Sequence, residues 1–194
     1  MANEHIDFML IVLEGLDGTG KGTQIKLLQE KLDAQVFKYP TAKTPEINAY
    51  LEKKMEIGRK ELFHLFLKDI MAEQDEIRKK RNSNAILDRY VFSTIAYEED
   101  AYGYEEEKQI ITKMNFIKPD LVLLLDIEPK TAQTRKKMQK ELDRYEEDLR
   151  YMEGVRERFL KMYEDRFLTP NWHKIDANVS IEKVHRQILD VLKL

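Results

Sequence analysis

Four of the seven glycines in this chain fall within eight residues, in the segment Gly15-Leu-Asp-Gly-Thr-Gly-Lys21-Gly-Thr23. Glycines allow successive backbone N–H groups to turn toward one anion, and a helix N-terminus adds partial positive charge. Lys21 can reach the β- and γ-phosphates of a nucleotide. Because a short apolar run precedes the segment and an amphipathic pattern follows it, the order predicts a phosphate-binding loop rather than a plain tight turn.

The residues predicted to contact ATP in this loop are Gly15, Asp17, Gly18, Thr19, Gly20, Lys21, Gly22 and Thr23. Gly22 stands where such loops usually carry a Ser or Thr that ligates magnesium, and Thr23 is the nearest hydroxyl. The GKGTQ form is similar to the adenylate kinase loop, in which water can hold the metal. Nucleotide binding is therefore expected, whereas the direct metal ligand stays open. A GTPase-type switch is disfavoured because the chain has no Asn-Lys-x-Asp motif.

Short apolar runs alternate with helical patterns along the chain. Continuous runs without alternation are typical of strands buried on both faces. Helical spacing joins Ile25, Leu28 and Leu32, and a second stripe covers residues 62–77. The predicted strands are 8–13, 36–37, 85–87, 121–125 and, more weakly, 172–175. This alternation predicts one doubly wound α/β domain over residues 1–194, with a parallel sheet and right-handed crossovers.

Carboxylates lie at or near the ends of three predicted strands, as Glu14, Asp88 and Asp126. In doubly wound sheets, ligands bind at the carboxyl ends of the strands. Asp88 is followed by Arg89, and a planar guanidinium beside a strand-end carboxylate suits phosphoryl transfer, which depends on positioning and charge neutralisation. The strand ends therefore form the predicted catalytic edge.

The chain has 194 residues, of which 42% are hydrophobic and 36% charged, with 33 basic against 36 acidic side chains and a net charge of −3. The slight acidity argues against a dedicated nucleic-acid-binding protein. The apolar run at residues 8–13 is too short to span a membrane and follows acidic residues rather than a basic segment. With no cysteine, disulfides and thiolate zinc sites are excluded. We expect a soluble cytoplasmic protein without nucleic-acid or membrane partners.

The chain resembles the thymidylate kinase family over nearly its whole length. The matching segments are Glu14-Gly-Leu-Asp17, Tyr39-Pro40 with Thr44, Leu65-Phe66, Asp88-Arg-Tyr-Val-Phe-Ser93, Ala96-Tyr97, Lys118-Pro-Asp-Leu121, Leu125-Asp126 and Asp143-Arg-Tyr-Glu146. The resemblance implies a P-loop fold with a five-stranded parallel sheet, flanking helices and a helical lid. It also implies a homodimer that uses ATP and Mg²⁺.

The resemblance assigns catalytic roles to four residues. Lys21 would hold the donor phosphates, Asp88 would organise Mg²⁺ and its waters, and Arg89 would grip the acceptor monophosphate. Arg144 lies in the Asp-Arg-x-Glu motif beside the transferred phosphate. The polar segment 128–147 resembles the family lid, in which Arg135 falls where a guanidinium stacks on the donor adenine.

The family also suggests an acceptor site. Asp17 resembles the carboxylate that receives the sugar 3′-hydroxyl, Phe66 the ring that stacks on the base, and Tyr97 the aromatic side chain against C2′. Thr94 and Glu98 are two candidates for reading the base N3–H. The remaining predicted acceptor residues are Tyr39, Lys43, Ile70 and Arg89.

Three positions depart from the family pattern. Ile70, or Met71 in the neighbouring frame, replaces the Arg that reads the thymine carbonyl, and Glu98 replaces a common Gln. Ala42 replaces a phosphate-gripping Arg, with Lys43 next to it. The phosphate loop also lacks the extra Arg of one family branch, so a lid cation is required, for which Lys137 and Lys140 are candidates.

These observations predict a kinase that transfers the γ-phosphoryl group of MgATP to dTMP for deoxynucleotide synthesis. An alternative is the same chemistry on another nucleoside monophosphate, because the base-reading residues are altered. A non-catalytic nucleotide-binding module is disfavoured by the joint presence of Lys21, Asp88, Arg89 and Arg144.

Overall fold

The computed structural model describes residues 9–79, 83–98, 101–138 and 148–194. Five parallel strands form one sheet in the order β2-β3-β1-β4-β5. Their bounds are β1 Leu10–Glu14, β2 Gln35–Lys38, β3 Ala85–Asp88, β4 Leu121–Asp126 and β5 Trp172–Asp176. The predicted strands and the parallel α/β class are therefore confirmed.

Helices connect the strands. Their bounds are α1 Lys21–Leu32, α2 Pro45–Leu51, α3 Arg59–Met71, α4 Gln74–Lys79, α5 Val91–Tyr97, α6 Tyr104–Lys113, α7 Pro129–Lys137, α8 Leu149–Glu164 and α9 Ile181–Leu192. Within the described ranges, no helix is long and apolar enough to cross a membrane.

The centre of the sheet explains where a ligand can bind. β1 is buried at every position, and it lies between β3 and β4. The chain leaves β1 toward β2 and β3 on one side and later returns to β4 on the other, so the connections diverge at the carboxyl end of β1. Such a divergence leaves a crevice at that end, and Glu14, Asp88 and Asp126 end β1, β3 and β4.

One local prediction needs correction. The apolar stripe at residues 62–77 does not form one helix, because α3 ends at Met71 and α4 begins at Gln74. The segment from Thr41 to Thr44 after β2 is non-helical, as the flanking Pro40 and Pro45 indicate, and Pro45 begins α2 at a position where its missing N–H costs nothing. Of the predicted lid, the structure describes α7 and Met138, while residues 139–147 lie outside the described ranges.

Candidate active site

The phosphate loop connects β1 to α1 through three glycines with positive φ, at 136° for Gly15, 88° for Gly18 and 89° for Gly20. A Cβ on Gly18 would lie 2.4 Å from the Ala132 carbonyl oxygen, so α7 packs directly on the loop. A Cβ on Gly15 would lie 2.4 Å from the Leu125 carbonyl oxygen of β4. Gly15 therefore serves close packing, and it does not line the donor cavity described below.

Lys21 is the first residue of α1 and is 6% exposed. Its Nζ donates to the carbonyl oxygens of Gly15 at 2.8 Å and Leu16 at 2.9 Å, and it lies 3.9 Å from Asp17 Oδ1. Burial lowers the pKa of Lys21 to about 8, with a further lowering by the charge of Arg89. The ammonium is thus positioned and partly desolvated, which strengthens its interaction with a phosphate.

A cavity over this loop is lined by basic side chains. Five cations and two carboxylates surround it, namely Lys21, Lys26, Lys38, Arg89, Lys136, Asp17 and Asp88, together with the backbone from Gly18 to Thr23. Excess positive charge at a helix N-terminus favours an anion with several phosphates. We call this the donor cavity.

Lys136 is a cation that the sequence analysis missed. Its side chain is 15% exposed, and its Nζ lies 3.9 Å from Asp17 Oδ1. Lys137, the predicted candidate, is exposed and does not line the donor cavity, while Lys140 lies outside the described residues. The sequence alone could not single out Lys136, because only the packing of Ala132 on Gly18 shows which face of α7 meets the loop, and residue 136 shares that face four positions later.

Asp88 ends β3 at the donor cavity, with its side chain 14% exposed and Oδ2 3.9 Å from Lys38 Nζ. In the described part of the chain, no group of three or more His, Cys, Asp or Glu residues could hold a metal by itself. Mg²⁺ usually binds through one or two carboxylates, several waters and the substrate phosphates. A single carboxylate beside a phosphate site fits that donor set.

Arg89 follows β3 in a left-handed conformation with φ of 70°. Its backbone N–H donates to Leu13 O at 3.1 Å, and its side chain enters a hydrogen-bonded frame. Nη1 donates to Ser93 Oγ at 3.1 Å, while Nη2 donates to Asp17 Oδ2 at 2.7 Å and to Tyr97 OH at 3.3 Å. The guanidinium is therefore fixed where the donor cavity meets a second cavity.

Asp17 is the anion at the centre of these cations. Burial by itself raises its pKa, but the charges of Arg89, Lys21 and Lys136 outweigh burial and hold the pKa of Asp17 well below its usual range. Asp17 is therefore a carboxylate at any working pH. An ionised carboxylate can accept a hydrogen bond from a sugar hydroxyl.

The second cavity, the acceptor cavity, lies next to the first. Its walls are Asp17, Tyr39, Pro40, Leu51, Phe66, Asp69, Ile70, Arg89, Tyr90, Ser93, Thr94 and Tyr97. Seven of the predicted acceptor residues are among them, namely Asp17, Tyr39, Phe66, Ile70, Arg89, Thr94 and Tyr97. One end is charged, at Asp17 and Arg89, and the other is largely apolar, which fits a ligand with a phosphate and a flat ring.

Asp69 was not predicted as a site residue, and it fixes the wall near Pro40. Its carboxylate accepts from the Thr41 N–H at 2.7 Å and from the Thr44 hydroxyl at 2.6 Å. Asp69 is 4% exposed. Because both oxygens of the Asp69 carboxylate accept hydrogen bonds from the loop after β2, Asp69 holds this part of the cavity wall in place.

Lys43 and Glu98 do not line the acceptor cavity. The Lys43 side chain is 74% exposed, and its Nζ pairs with Glu73 Oε1 at 2.7 Å. Glu98 is fully buried at the C-terminal end of α5, whereas Thr94, one turn earlier, lies on the cavity wall. Of the two candidates for reading N3–H, the structure brings only Thr94 to the cavity.

Arg135 lies against the segment after β5. Its Nη1 donates to Ala177 O at 2.8 Å and its Nη2 to Val179 O at 3.4 Å. It is not on the donor cavity wall, and its contact with adenine stays a prediction. Arg144 lies outside the described residues.

The sequence and the fold of this chain both match known proteins. A sequence profile of the thymidylate kinase family matches residues 13–188. The thymidylate kinase of Danio rerio is 33% identical over 94% of this chain and 88% of the relative. That of Schizosaccharomyces pombe is 34% identical over 94% of this chain and 90% of the relative. The solved thymidylate kinase of Candida albicans is 26% identical with a TM-score of 0.78, covering 96% of this chain and 92% of that one.

Proposed function

The chain belongs to the thymidylate kinase family, and on that premise we propose that it transfers the γ-phosphoryl group of ATP to dTMP. This proposal is supported above all by the position of the two cavities: the donor and acceptor cavities are adjacent and share Asp17 and Arg89. ATP would bind on the phosphate loop and dTMP between Phe66 and Tyr97.

The chemistry follows from these positions. An oxygen of the acceptor phosphate attacks the γ-phosphorus, the bond from that phosphorus to the β–γ bridging oxygen breaks, and ADP leaves. Lys21 neutralises the donor phosphates, and Arg89 holds the acceptor phosphate in line. Positioned cations provide most of the catalysis in such transfers.

Mg²⁺ fits this site as the partner of the donor phosphates, with Asp88 as the residue that would hold it through water. When bound, it neutralises charge that develops on the bridging oxygen. We also propose that the enzyme acts as a homodimer in the cytoplasm, in keeping with the family resemblance.

The function is tested by ADP production from MgATP with and without dTMP. We expect ADP formation that depends on dTMP and saturates with it. ADP formation that is equal without dTMP, or absent with every nucleoside monophosphate, would contradict the proposal.

A second candidate, a kinase with a relaxed choice of base, is favoured by Ile70. This side chain is 2% exposed on the acceptor cavity wall and has no polar group. The solved Candida albicans relative is itself described as having broad substrate specificity. Since selectivity of about 10⁴- to 10⁵-fold requires buried polar groups that a wrong substrate leaves unpaired, an apolar wall gives weaker discrimination.

We therefore expect dTMP to be the best acceptor, dUMP to be close behind, and at least one of dCMP and dGMP to be phosphorylated measurably. Thr94→Val should lower kcat/KM for dTMP by about 5- to 10-fold, because one hydrogen bond to the base is lost. Glu98→Gln should leave base preference unchanged in folded protein. Strict dTMP selectivity that survives Thr94→Val would show that another residue reads the base.

Lys136 should replace the extra arginine that one branch of the family carries in the phosphate loop and that this chain lacks. Lys136→Met is expected to lower kcat by about 10-fold or more, since a cation beside the transferred phosphoryl group acts mainly in the transition state. Lys137→Met is the matched control, because Lys137 is the next residue of α7 and is exposed. Equal effects of the two substitutions on kcat would remove the role of Lys136.

A further inference from the structure

Glu14 is a fully buried carboxylate at the edge of the site, and the mechanism above does not use it. It is the last residue of β1 and lines neither cavity. Its Oε1 accepts from the backbone N–H groups of Tyr90 at 2.8 Å and Ser93 at 3.2 Å. Its Oε2 accepts from Ser93 Oγ at 2.7 Å.

These three donors belong to the start of α5. Tyr90 is the N-cap of this helix, and its own side chain makes no capping hydrogen bond. The first N–H groups of a helix lack acceptors within the helix. Glu14, from a neighbouring strand, accepts from the Tyr90 N–H and shares the Ser93 N–H with Tyr90 O, which lies 3.0 Å from that nitrogen. Because Arg89 immediately precedes Tyr90, fixing the first turn of α5 also fixes the backbone from which the Arg89 side chain extends.

A second link runs through the Ser93 hydroxyl. A hydroxyl has one proton to donate and lone pairs with which to accept. Since the Ser93 proton faces Glu14, the Ser93 oxygen accepts from Arg89 Nη1 at 3.1 Å. Glu14 thus orients Ser93, and Ser93 holds the guanidinium that reaches Asp17.

Charge supports the same arrangement. Burial raises the pKa of Glu14 to about 7, even though the Ser93 hydrogen bond and the charges of Arg89 and Lys21 oppose that rise. In its ionised form, the carboxylate stabilises the charged form of both cations. A neutral group at this position would leave two buried cations with less compensation.

We propose that Glu14 is a positioning residue for the acceptor site: through Ser93 and the first turn of α5, it holds Arg89 in the orientation that receives the acceptor phosphate. The inference rests on the proposed function, because it assumes that Arg89 binds that phosphate. Glu14 itself touches no substrate in this account.

Glu14→Gln tests the proposal with little change in shape. The amide retains one acceptor, but its NH₂ group cannot accept the Ser93 proton, and the charge is lost. We expect KM for dTMP to rise by about 10-fold or more, as for loss of a hydrogen bond to a charged group. KM for ATP should change much less.

Glu107→Gln is the control for neutralising a buried carboxylate. Glu107 is also fully buried, and it pairs with Arg158 at 2.6 Å outside both cavities. We expect this variant to lose thermal stability and to retain both KM values. An equal rise in KM for dTMP in the two variants would show that Glu14 matters only for general stability.

A double-mutant cycle with Arg89→Lys tests whether Glu14 acts through Arg89. If it does, adding Glu14→Gln to Arg89→Lys raises KM for dTMP little further. If the two residues act independently, the fold-changes in KM for dTMP of the two single variants multiply in the double variant. A second cycle combines Ser93→Ala with Arg89→Lys. Because the Ser93 side chain is only partly buried, the test does not depend on the folding of Glu14→Gln alone. Multiplicative effects in the cycle would overturn the proposal.

Different results would contradict the proposed function and the role of Glu14. A parent enzyme that phosphorylates no nucleoside monophosphate contradicts the proposed function. An active parent with an unchanged dTMP KM in folded Glu14→Gln contradicts only the role of Glu14.

Discussion

Lys21→Ala is expected to lower kcat by about 10²- to 10³-fold, because it removes a preorganised charge from the transition state. In the wild-type protein, two carbonyl oxygens of the loop accept hydrogen bonds from the Lys21 ammonium at 2.8 and 2.9 Å and hold it beside the donor cavity. Steady-state kinetics with saturating ATP and dTMP measure the loss.

Lys31→Ala is the matched control, since Lys31 lies on the same helix at an exposed position. It should retain wild-type kcat and KM. Circular dichroism and thermal unfolding of both variants verify that the comparison concerns folded protein. Wild-type turnover in folded Lys21→Ala would refute the assignment of the phosphate loop.

Arg89→Lys should lower kcat/KM for dTMP by about 10²-fold, even though it preserves the charge. A planar guanidinium contacts Asp17, Ser93 and Tyr97 at the same time. An ammonium lacks the fork of N–H groups that supports these contacts and binds a phosphate through two atoms. The larger part of the effect should appear in KM for dTMP rather than in KM for ATP.

Arg186→Lys is the corresponding control, because Arg186 is exposed on α9 and lines neither cavity. It should behave as the parent enzyme. If Arg89→Lys alters KM for ATP and KM for dTMP by the same factor, Arg89 does not serve the acceptor phosphate specifically.

The strands and the phosphate loop could be predicted because their signals are local. An apolar run without alternation predicts a buried strand, and glycine spacing followed by Lys21 predicts the loop. Asp88 ends β3 and Arg89 follows it directly, so their place at the carboxyl edge of the sheet also depends on neighbouring residues only. These predictions needed no information about distant contacts.

The parts that could not be predicted depend on contacts between distant segments. Lys43 pairs with Glu73, 30 residues away, and does not line the acceptor cavity. The hydrogen bonds of Glu14 to α5 span 76 and 79 residues. Local sequence gives the residue type at each end, but only the packed sheet brings the two ends together.

Thr94 and Glu98 show that the position of a residue relative to the end of a helix determines whether its side chain reaches the cavity. They are four residues apart, and both carry groups that could bind a base. Glu98 follows the last helical residue of α5, where the chain departs from helical geometry, and its side chain lies away from the cavity wall. Sequence spacing alone could not choose between them because the end of α5 was not predictable.

The most direct test of the central claim follows the γ-phosphoryl group itself. ATP labelled on the γ-phosphate is incubated with Mg²⁺, dTMP and the enzyme, and the labelled products are separated by chromatography. The account predicts that the label appears in dTDP in equal amounts with ADP, and that Lys21→Ala suppresses this transfer. Label recovered as inorganic phosphate, at a rate independent of dTMP, would contradict it.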